Sequence, residues 1–246
     1  MKILSVLFLL PIFIFSQKIP ILYTVIYSAN INFGENNKQE DMDYALAFNA
    51  TQSYFACPAY YNFDAGRVQV LQAIDVDNPE RFTSNNGKYD VFASFAETKI
   101  RYQEAPNLNW KLEKETKTIN GTICQKATTR KYGRNWTAYF SKDYPFSYGP
   151  VKFGGLPGLI FEIYDDKNDY HYIVTAIKKQ KDIKINSNSN DYKLLSKKNY
   201  LKARANSEFS IAAHPTFSGE LRKDTEEMYR NLKLKFNNPI ELKPLE

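Results

Sequence analysis

The sequence predicts a mainly β protein: an antiparallel meander forming a curved sheet or half-barrel, with one to three minor helices toward the C-terminus. Three observations predict it. Tyr (18) and Phe (17) are abundant, Thr and Ile are frequent and Ala is scarce, a composition suited to pleated, half-buried surfaces. Short runs of alternating apolar and polar residues recur between turn residues, as in hairpin-linked strands. The loops between these runs are short, which favours antiparallel neighbours over a doubly wound sheet.

Ile21 to Ser28 is β-branched and aromatic and reads as the first strand. Asn30 to Asp41 is polar and reads as a loop. Tyr44, Leu46 and Phe48 alternate, Asn49 to Gln52 turns the chain, and Ser53 to Phe55 returns. That is a hairpin, although Met42 to Ala56 also fits an amphipathic helix. Tyr60 to Asn86 is ambiguous: Val68 to Ile74 fits a strand or a short helix, and the polar run Asp75 to Lys88 reads as mobile. Tyr89 to Tyr102 makes one or two strands. The clearest hairpin is Trp110 to Ile119 and Thr122 to Tyr132, joined by Asn120-Gly121. Asn-Gly tolerates the positive φ of a type I′ turn. A two-residue loop sets Ile119 opposite Thr122, Lys117 opposite Cys124 and Glu115 opposite Lys126, with Glu113, Glu115 and Lys117 on the wetter face. Cys124 shares that face near the turn. Gly133-Arg134 turns the chain again, and Trp136, Ala138 and Phe140 alternate on the next strand. Leu159 to Tyr164 and Tyr170 to Lys178 are strands around the turn Asp165 to Asn168. Asn186 to Asp191 reads as a linker, Tyr192 to Ala205 and Leu221 to Leu234 as helices, and Asn237 to Leu242 as an extended tail. The second helix starts at Asp224 or Thr225, or within Gly219 to Lys223.

The N-terminus is a processing signal. Met1-Lys2 is basic, Ile3 to Phe15 is apolar except for Ser5, and Ser16 is small before polar Gln17-Lys18. This is the layout of a secretory signal peptide, residues 1–16, and it is too short to span a bilayer. Residues 17–246 then form a single β-rich domain, with residues 192–234 its helical part. No second long apolar run exists, so the mature chain is expected to be exported, periplasmic or extracellular, and not transmembrane. Net charge is +6, but the basic residues are dispersed and interleaved with Glu113 and Glu115. That pattern is a solvated strand surface, and a nucleic-acid partner is not expected.

Cys57 and Cys124 are the only cysteines, and His171 and His214 the only histidines. In an oxidising compartment the two cysteines form a disulfide or remain buried thiols. A Cys nucleophile served by a His, or a zinc site using all four residues, has no supporting spacing. No catalytic, cofactor-binding or metal residue is therefore assigned. Glu162, Asp165, Asp166 and His171 are the candidates for a hydrolase. Against that reading, Asp165 to Asn168 has the composition of an ordinary solvated turn, and Glu162 that of a strand residue on the wetter face.

The most distinctive segment is Gly149-Pro150-Val151-Lys152-Phe153-Gly154-Gly155-Leu156-Pro157-Gly158. Leu156 to Leu159 fits a type II turn with positive φ at Gly158. Gly154-Gly155 permits a bulge or close backbone approach, while Phe153 and Leu156 anchor the loop to the core. Lys152 is its only charge and is expected to be solvated. A phosphate cradle is excluded, because a strand follows and no Gly-Lys-Ser/Thr is present.

Gly155-Leu156-Pro157-Gly158-Leu159-Ile160 resembles the signature of the GLPGLI family of exported Bacteroidota proteins. Phe48 to Phe55, Gly121 to Ala127, Gly133 to Phe140, Gly149 to Phe153 and Asn237 to Leu242 look like that family's other blocks, in order. The resemblance implies a secreted protein of uncharacterised function and transfers no site residue. The hairpin carrying Gly121 to Cys124, then Trp136 to Phe140, then a loop before Leu159 to Ile163, looks like the strand order of LolA-type folds. Those are curved sheets that hold apolar ligands under helices. Together these readings imply a non-catalytic binding or carrier module for an apolar ligand. The alternatives are an envelope protein that partners an outer-membrane system, and a hydrolase. N-terminal sequencing of protein recovered from periplasm or medium should begin near Gln17; intact Met1 on a membrane-bound form would contradict export.

Overall fold

The computed structural model describes residues 18–34, 39–70, 80–95 and 98–246. The expected signal peptide lies outside them, as do residues 71–79, which take in a third of the ambiguous stretch Tyr60 to Asn86, including the end of the expected Val68 to Ile74 element.

The first half of the chain is a meander. The strands are β1 (Lys18–Asn32), β2 (Gln39–Phe48), β3 (Gln52–Ala56), β4 (Arg81–Asn85), β5 (Lys88–Phe95) and β6 (Thr98–Glu104), and helix α1 (Pro58–Asp64) follows β3. A second meander follows: β7 (Lys111–Ile119), β8 (Thr122–Lys131), β9 (Arg134–Ser141), β10 (Leu159–Asp165) and β11 (Tyr170–Asn186). Strand β12 (Lys193–Leu194), helix α2 (Lys197–Ser207), a short 3-10 turn and helix α3 (Gly219–Lys235) complete the described elements. The two meanders join where β11 pairs with β1, giving one sheet in the order β12-β6-β5-β4-β3-β2-β1-β11-β10-β9-β8-β7. All pairings are antiparallel except β12 with β6. The mainly β prediction, with helices toward the C-terminus, matches this architecture.

Chain connectivity forces the sheet to curl. Strands β6 and β7 are consecutive in sequence but ten positions apart in the sheet, or about 48 Å if flat. The linker 105–110 reaches at most about 25 Å. The sheet must therefore bend until its two ends approach. Register shifts between Ile21 and Tyr23, Ile26 and Tyr27, Ile160 and Glu162, and Leu112 and Thr116 introduce the bulges that bend strands. The two ends touch directly: the Tyr132 hydroxyl beyond β8 donates to Glu104 at the end of β6 at 3.0 Å.

The inner face is filled with aromatic side chains. Tyr27, Tyr44, Phe55 and Tyr172 are buried. Tyr44 stacks on Phe55 at 5.2 Å between centroids, and Tyr172 meets Tyr44 at 5.9 Å. The signature segment lies against the same face, with Phe153 4.5 Å from Trp136. The Tyr27 hydroxyl donates to Ile160 O.

Several expectations need correction. β1 exceeds Ile21 to Ser28 because β2 and β11 pair with it on both sides along its length. For the same reason Asn30 to Asn32 and Gln39 to Asp41 are strand, not loop. Met42 to Ala56 is the hairpin, not the helix. Arg81 to Lys88 is ordered strand, turned by Asn86-Gly87 with φ of 49° and 79°, the same device as Asn120-Gly121. Ile119 faces Thr122 and Lys117 faces Cys124 as expected. A register shift interrupts the pairing further along, yet Lys126 still reaches Glu115 at 2.8 Å. The next turn is Tyr132-Gly133, and Arg134 opens β9. β11 continues to Asn186, and Tyr192 to Leu195 is not helical: α2 begins after Ser196, whose side chain caps it by accepting from Asn199 N. α3 begins at Gly219, the earlier of the two expected starts.

The expected type II turn at Gly158 is absent, because Gly158 has no positive φ; Gly155 does, at 81°. Gly158 is required by close approach. A Cβ there would lie 2.1 Å from Ser141 O, a backbone atom fixed in β9. Gly158→Ala should therefore cost more than about 2 kcal/mol, whereas Gly155→Ala, with open space around it, should cost only about 1 kcal/mol of φ strain. Urea denaturation of both variants checks the order; equal losses would contradict it.

Candidate ligand-binding groove

The expectation that Lys152 is solvated is wrong. It is 3% exposed and pairs with Glu104 and Glu241. Lys197, at the start of α2, contacts the same two carboxylates at 2.6 and 2.8 Å. The Tyr102 hydroxyl accepts from Lys152 at 2.9 Å, and Tyr132 donates to Glu104. Both ammonium groups also lie over the rings of Tyr102 and Tyr132. Two cations and two carboxylates thus cancel within an aromatic box. They come from the signature segment, β6, α2 and the C-terminal tail, which are distant in sequence, so no local pattern could reveal the cluster.

Burial raises the Glu104 carboxyl, but Lys152 and Lys197 outweigh it and leave the pKa below its ordinary value. Burial lowers Lys152, and Glu241 with Glu104 outweigh that and raise it.

A second buried ion pair ties down the tail. Arg134 bonds Asp165 at 2.7 Å with both side chains almost fully buried, and reaches Asp169 at 3.1 Å. Its remaining donors bind Asn238 Oδ1, Pro239 O and Ile240 O. Asp165 is therefore an anchor rather than a solvated turn residue, while Asp166 accepts from Asn135 at the surface.

Of the hydrolase candidates only Glu162 and His171 meet, while Asp165 and Asp166 are held by Arg134 and Asn135. Glu162 is 4% exposed, contrary to the wetter-face reading, and is held by His171 at 2.9 Å and by Lys117. Burial raises its pKa, and these two partners pull it below the ordinary value. His214 bonds the Tyr229 hydroxyl and stacks on Phe217. Cys57 and Cys124 are both free and buried in this structure. Cys57 follows β3 and Cys124 sits in β8, with five strands between them in the sheet. Cys124 is fully buried and not open to a partner thiol. Burial, reinforced by Glu162, pushes its thiol up to about 11, and burial raises Cys57 too. Protonated thiols are poor nucleophiles. Among the described residues, no group of three or more His, Cys, Asp or Glu side chains is placed to hold a metal.

Two clefts of ligand size stand out among the described residues. One, about 410 Å³, lies between the sheet and the C-terminal helices and includes Phe82, Tyr172, Phe209 and Phe236. Of its charged groups, Arg204 binds Glu80 and Glu208, Tyr200 donates to Glu80, and Lys233 stands at the lining as well. The other, about 490 Å³, runs beside the signature segment and includes Tyr89, Tyr148, Phe146, Ser147, Gly154 and Gly155. Four connections meet there: the β2–β3 turn, the Asn86-Gly87 turn, the β6–β7 linker and the segment 144–155. Trp110 fastens the linker to the segment by donating to Gly154 O at 2.8 Å. Lys152 ends under this groove, so the ion cluster fixes its floor. Gly154 and Gly155 contribute directly to the groove; Phe153 and Leu156 are buried anchors behind it. Gly149, Pro150 and Gly158 are buried, and Pro157 is exposed. Tyr89 and Tyr148 escaped sequence reasoning, because Tyr89 only opens an alternating strand and Tyr148 lies in the unassigned stretch before Gly149.

No family model matches the chain, and no curated protein matches it. Among solved structures it is similar to PNGF-II. The P21 crystal form aligns with a TM-score of 0.60 and 16% identity, over 77% of this chain and 34% of that one. The C2 form aligns with a TM-score of 0.58 and 15% identity over the same shares. The chain thus spans about a third of the length of PNGF-II, and likeness at this identity is one of fold. A LolA superfamily protein from Nitrosomonas europaea aligns with a TM-score of 0.31 and 8% identity, over 65% of this chain and 86% of that one, too distant to carry an argument. Among the described residues no helix is long and apolar enough to cross a membrane.

Lys152→Ala leaves two buried carboxylates facing one cation, and should cost about 3–5 kcal/mol. The depressed Glu104 pKa stabilises the fold above the ordinary carboxylate range, and that stability is lost as pH falls through the folded value. The raised Lys152 pKa contributes below about 10.5 and is lost as pH rises through its higher folded value. Denaturation midpoints from pH 7 down to 3 should fall more steeply for the wild type than for Lys152→Ala. Parallel curves would contradict the assignment.

Proposed function

We propose that the chain is an exported, non-catalytic binding module of the GLPGLI type, and that it takes its ligand in the groove beside the signature segment. The observation that carries this reading is a pair of tyrosine hydroxyls, on Tyr89 and Tyr148. Both residues are more than nine-tenths buried and line the groove. Among the described residues neither hydroxyl makes a hydrogen bond. Neither hydroxyl is among the buried atoms left without a partner; both tips open into the groove, where they offer a ligand a donor and an acceptor that no protein group occupies. The secretory layout of residues 1–16 supports export.

The rival readings have less support. A carrier for a large apolar cargo needs an empty inner face, and here Tyr27, Tyr44, Phe55 and Tyr172 occupy it. A partner protein adding a strand at the β7 edge would meet Lys111, Lys114 and Lys117 interspersed with Glu113 and Glu115. Charged edges of this kind discourage strand addition. A cysteine hydrolase would need an activated thiol, and both thiols are shifted toward the protonated form; the Glu162–His171 pair lines neither cleft.

Ser147 is exposed, lines the groove and has no side-chain partner among the described residues. Ser147→Trp should fill the groove while changing stability by less than about 0.5 kcal/mol. Native mass spectrometry of protein from its own compartment should find a small molecule on the wild type and not on the variant. The same molecule retained equally by both would place the site elsewhere.

A further inference from the structure

Building on the groove reading, we propose that the ligand is an uncharged carbohydrate chain. The groove's own chemistry narrows the choice to this class.

Charge comes first. Lys152 is the only ionisable Lys, Arg, Asp or Glu side chain among the groove-lining residues, and its ammonium is committed to Glu104 and Glu241. A phosphate, sulfate or carboxylate ligand would find no free cation, and a cationic ligand no free carboxylate. Desolvating a ligand charge without a partner is costly, so the site selects a neutral molecule.

Hydrogen-bonding capacity comes second. The Tyr89 and Tyr148 hydroxyls can each donate and accept, and the exposed amides of Asn86 and Asn107 stand at the rim. The Tyr89 hydroxyl lies 3.1 Å from where a Cβ on Gly154 would sit, so the glycine keeps it open to the groove. Groups that both donate and accept suit a ligand rich in hydroxyls. Beside them Phe146, Pro145, Pro106 and Leu108 offer apolar faces. A sugar ring carries both features, a C–H face and a hydroxyl edge. The groove's 490 Å³ lies within the ~300–1,000 Å³ of small-ligand sites.

A peptide fits less well. An extended peptide binds chiefly through backbone ladders. On this wall Pro106 and Pro145 have no N–H, and Phe146 N, Tyr148 N and Gly155 N already donate to Tyr144 O, Phe146 O and Ser147 O. Few backbone donors remain to hold a strand.

The test is a glycan array followed by isothermal titration calorimetry on the full mature chain. The calorimetry compares cellohexaose, mannohexaose and chitohexaose with an anionic oligogalacturonate and a Pro-rich decapeptide. Tyr89→Phe, Tyr148→Phe and Ser147→Trp accompany the wild type. The expected result is binding of a neutral oligosaccharide, weakened about three- to tenfold by each Phe variant and abolished by Ser147→Trp. Melting temperatures of the Phe variants should stay unchanged, since neither hydroxyl has a protein partner to lose. Binding confined to the anionic glycan or the peptide, and abolished by Ser147→Trp, would overturn the ligand class and leave the groove standing. Absence of any neutral-glycan binding, with a native ligand still lost in Ser147→Trp, would do the same. A neutral oligosaccharide bound equally by all variants would overturn the groove assignment itself.

Discussion

Closing the curl of one long sheet is the constraint on which the rest depends. A linker of six residues joins strands ten places apart, so the two ends of the sheet must meet. They meet around Lys152, Lys197, Glu104 and Glu241. Four charges that would each be expensive to bury alone are tolerated because they cancel at contact distance and are boxed by Tyr102 and Tyr132. The cluster joins β6, the β8–β9 turn, the signature segment, α2 and the tail. Arg134 performs the same service at the other end of the tail, through Asp165, Asp169 and the carbonyls of Pro239 and Ile240. The tail is thus a strap fastened by two buried cations.

The groove follows from that closure. Its walls are loops, and loops hold a shape only when something fixes them. Gly158 lets the signature segment touch β9, Trp110 pins the β6–β7 linker to Gly154, and Lys152 pins the segment from below. Val151, next to Lys152, sits at a φ of 56°, a costly conformation for a β-branched residue. Such strain persists where surrounding contacts over-determine the backbone, and the ion cluster supplies them. The result is a preformed, neutral groove with two open hydroxyls over a salt-bridged floor. Preformed sites lose less affinity to ordering.

Much of the fold was legible in the sequence because strands announce themselves locally. Alternation marked β2, β5 and β9, and Asn120-Gly121 set the register of β7 on β8. Asn86-Gly87 carried the same signal, but its polar flanks hid β4. The lengths of β1 and β11 were not legible, since pairing on both sides, rather than propensity, extends them. The site was least legible. Lys152 looked like a lone loop charge because its carboxylate partners lie 48 and 89 residues away. Glu162 and Asp165 looked wet for the same reason. Tyr89 opened an alternating strand and Tyr148 had no assignment; both are buried, and only their unpartnered hydroxyl tips distinguish them, which appear once the loops are placed.

The central claim is that the charges around Lys152 act as one unit that closes the sheet and sets the groove floor. A double-mutant cycle on Lys152→Met and Glu241→Gln, read by urea denaturation, tests it directly. Each single change leaves a buried imbalance, while the double change removes one cation and one anion together. The account predicts that the double variant is more stable than the summed losses imply, with a coupling energy above about 1.5 kcal/mol. Losses that add to within about 0.5 kcal/mol would show that the two residues act independently and would contradict it.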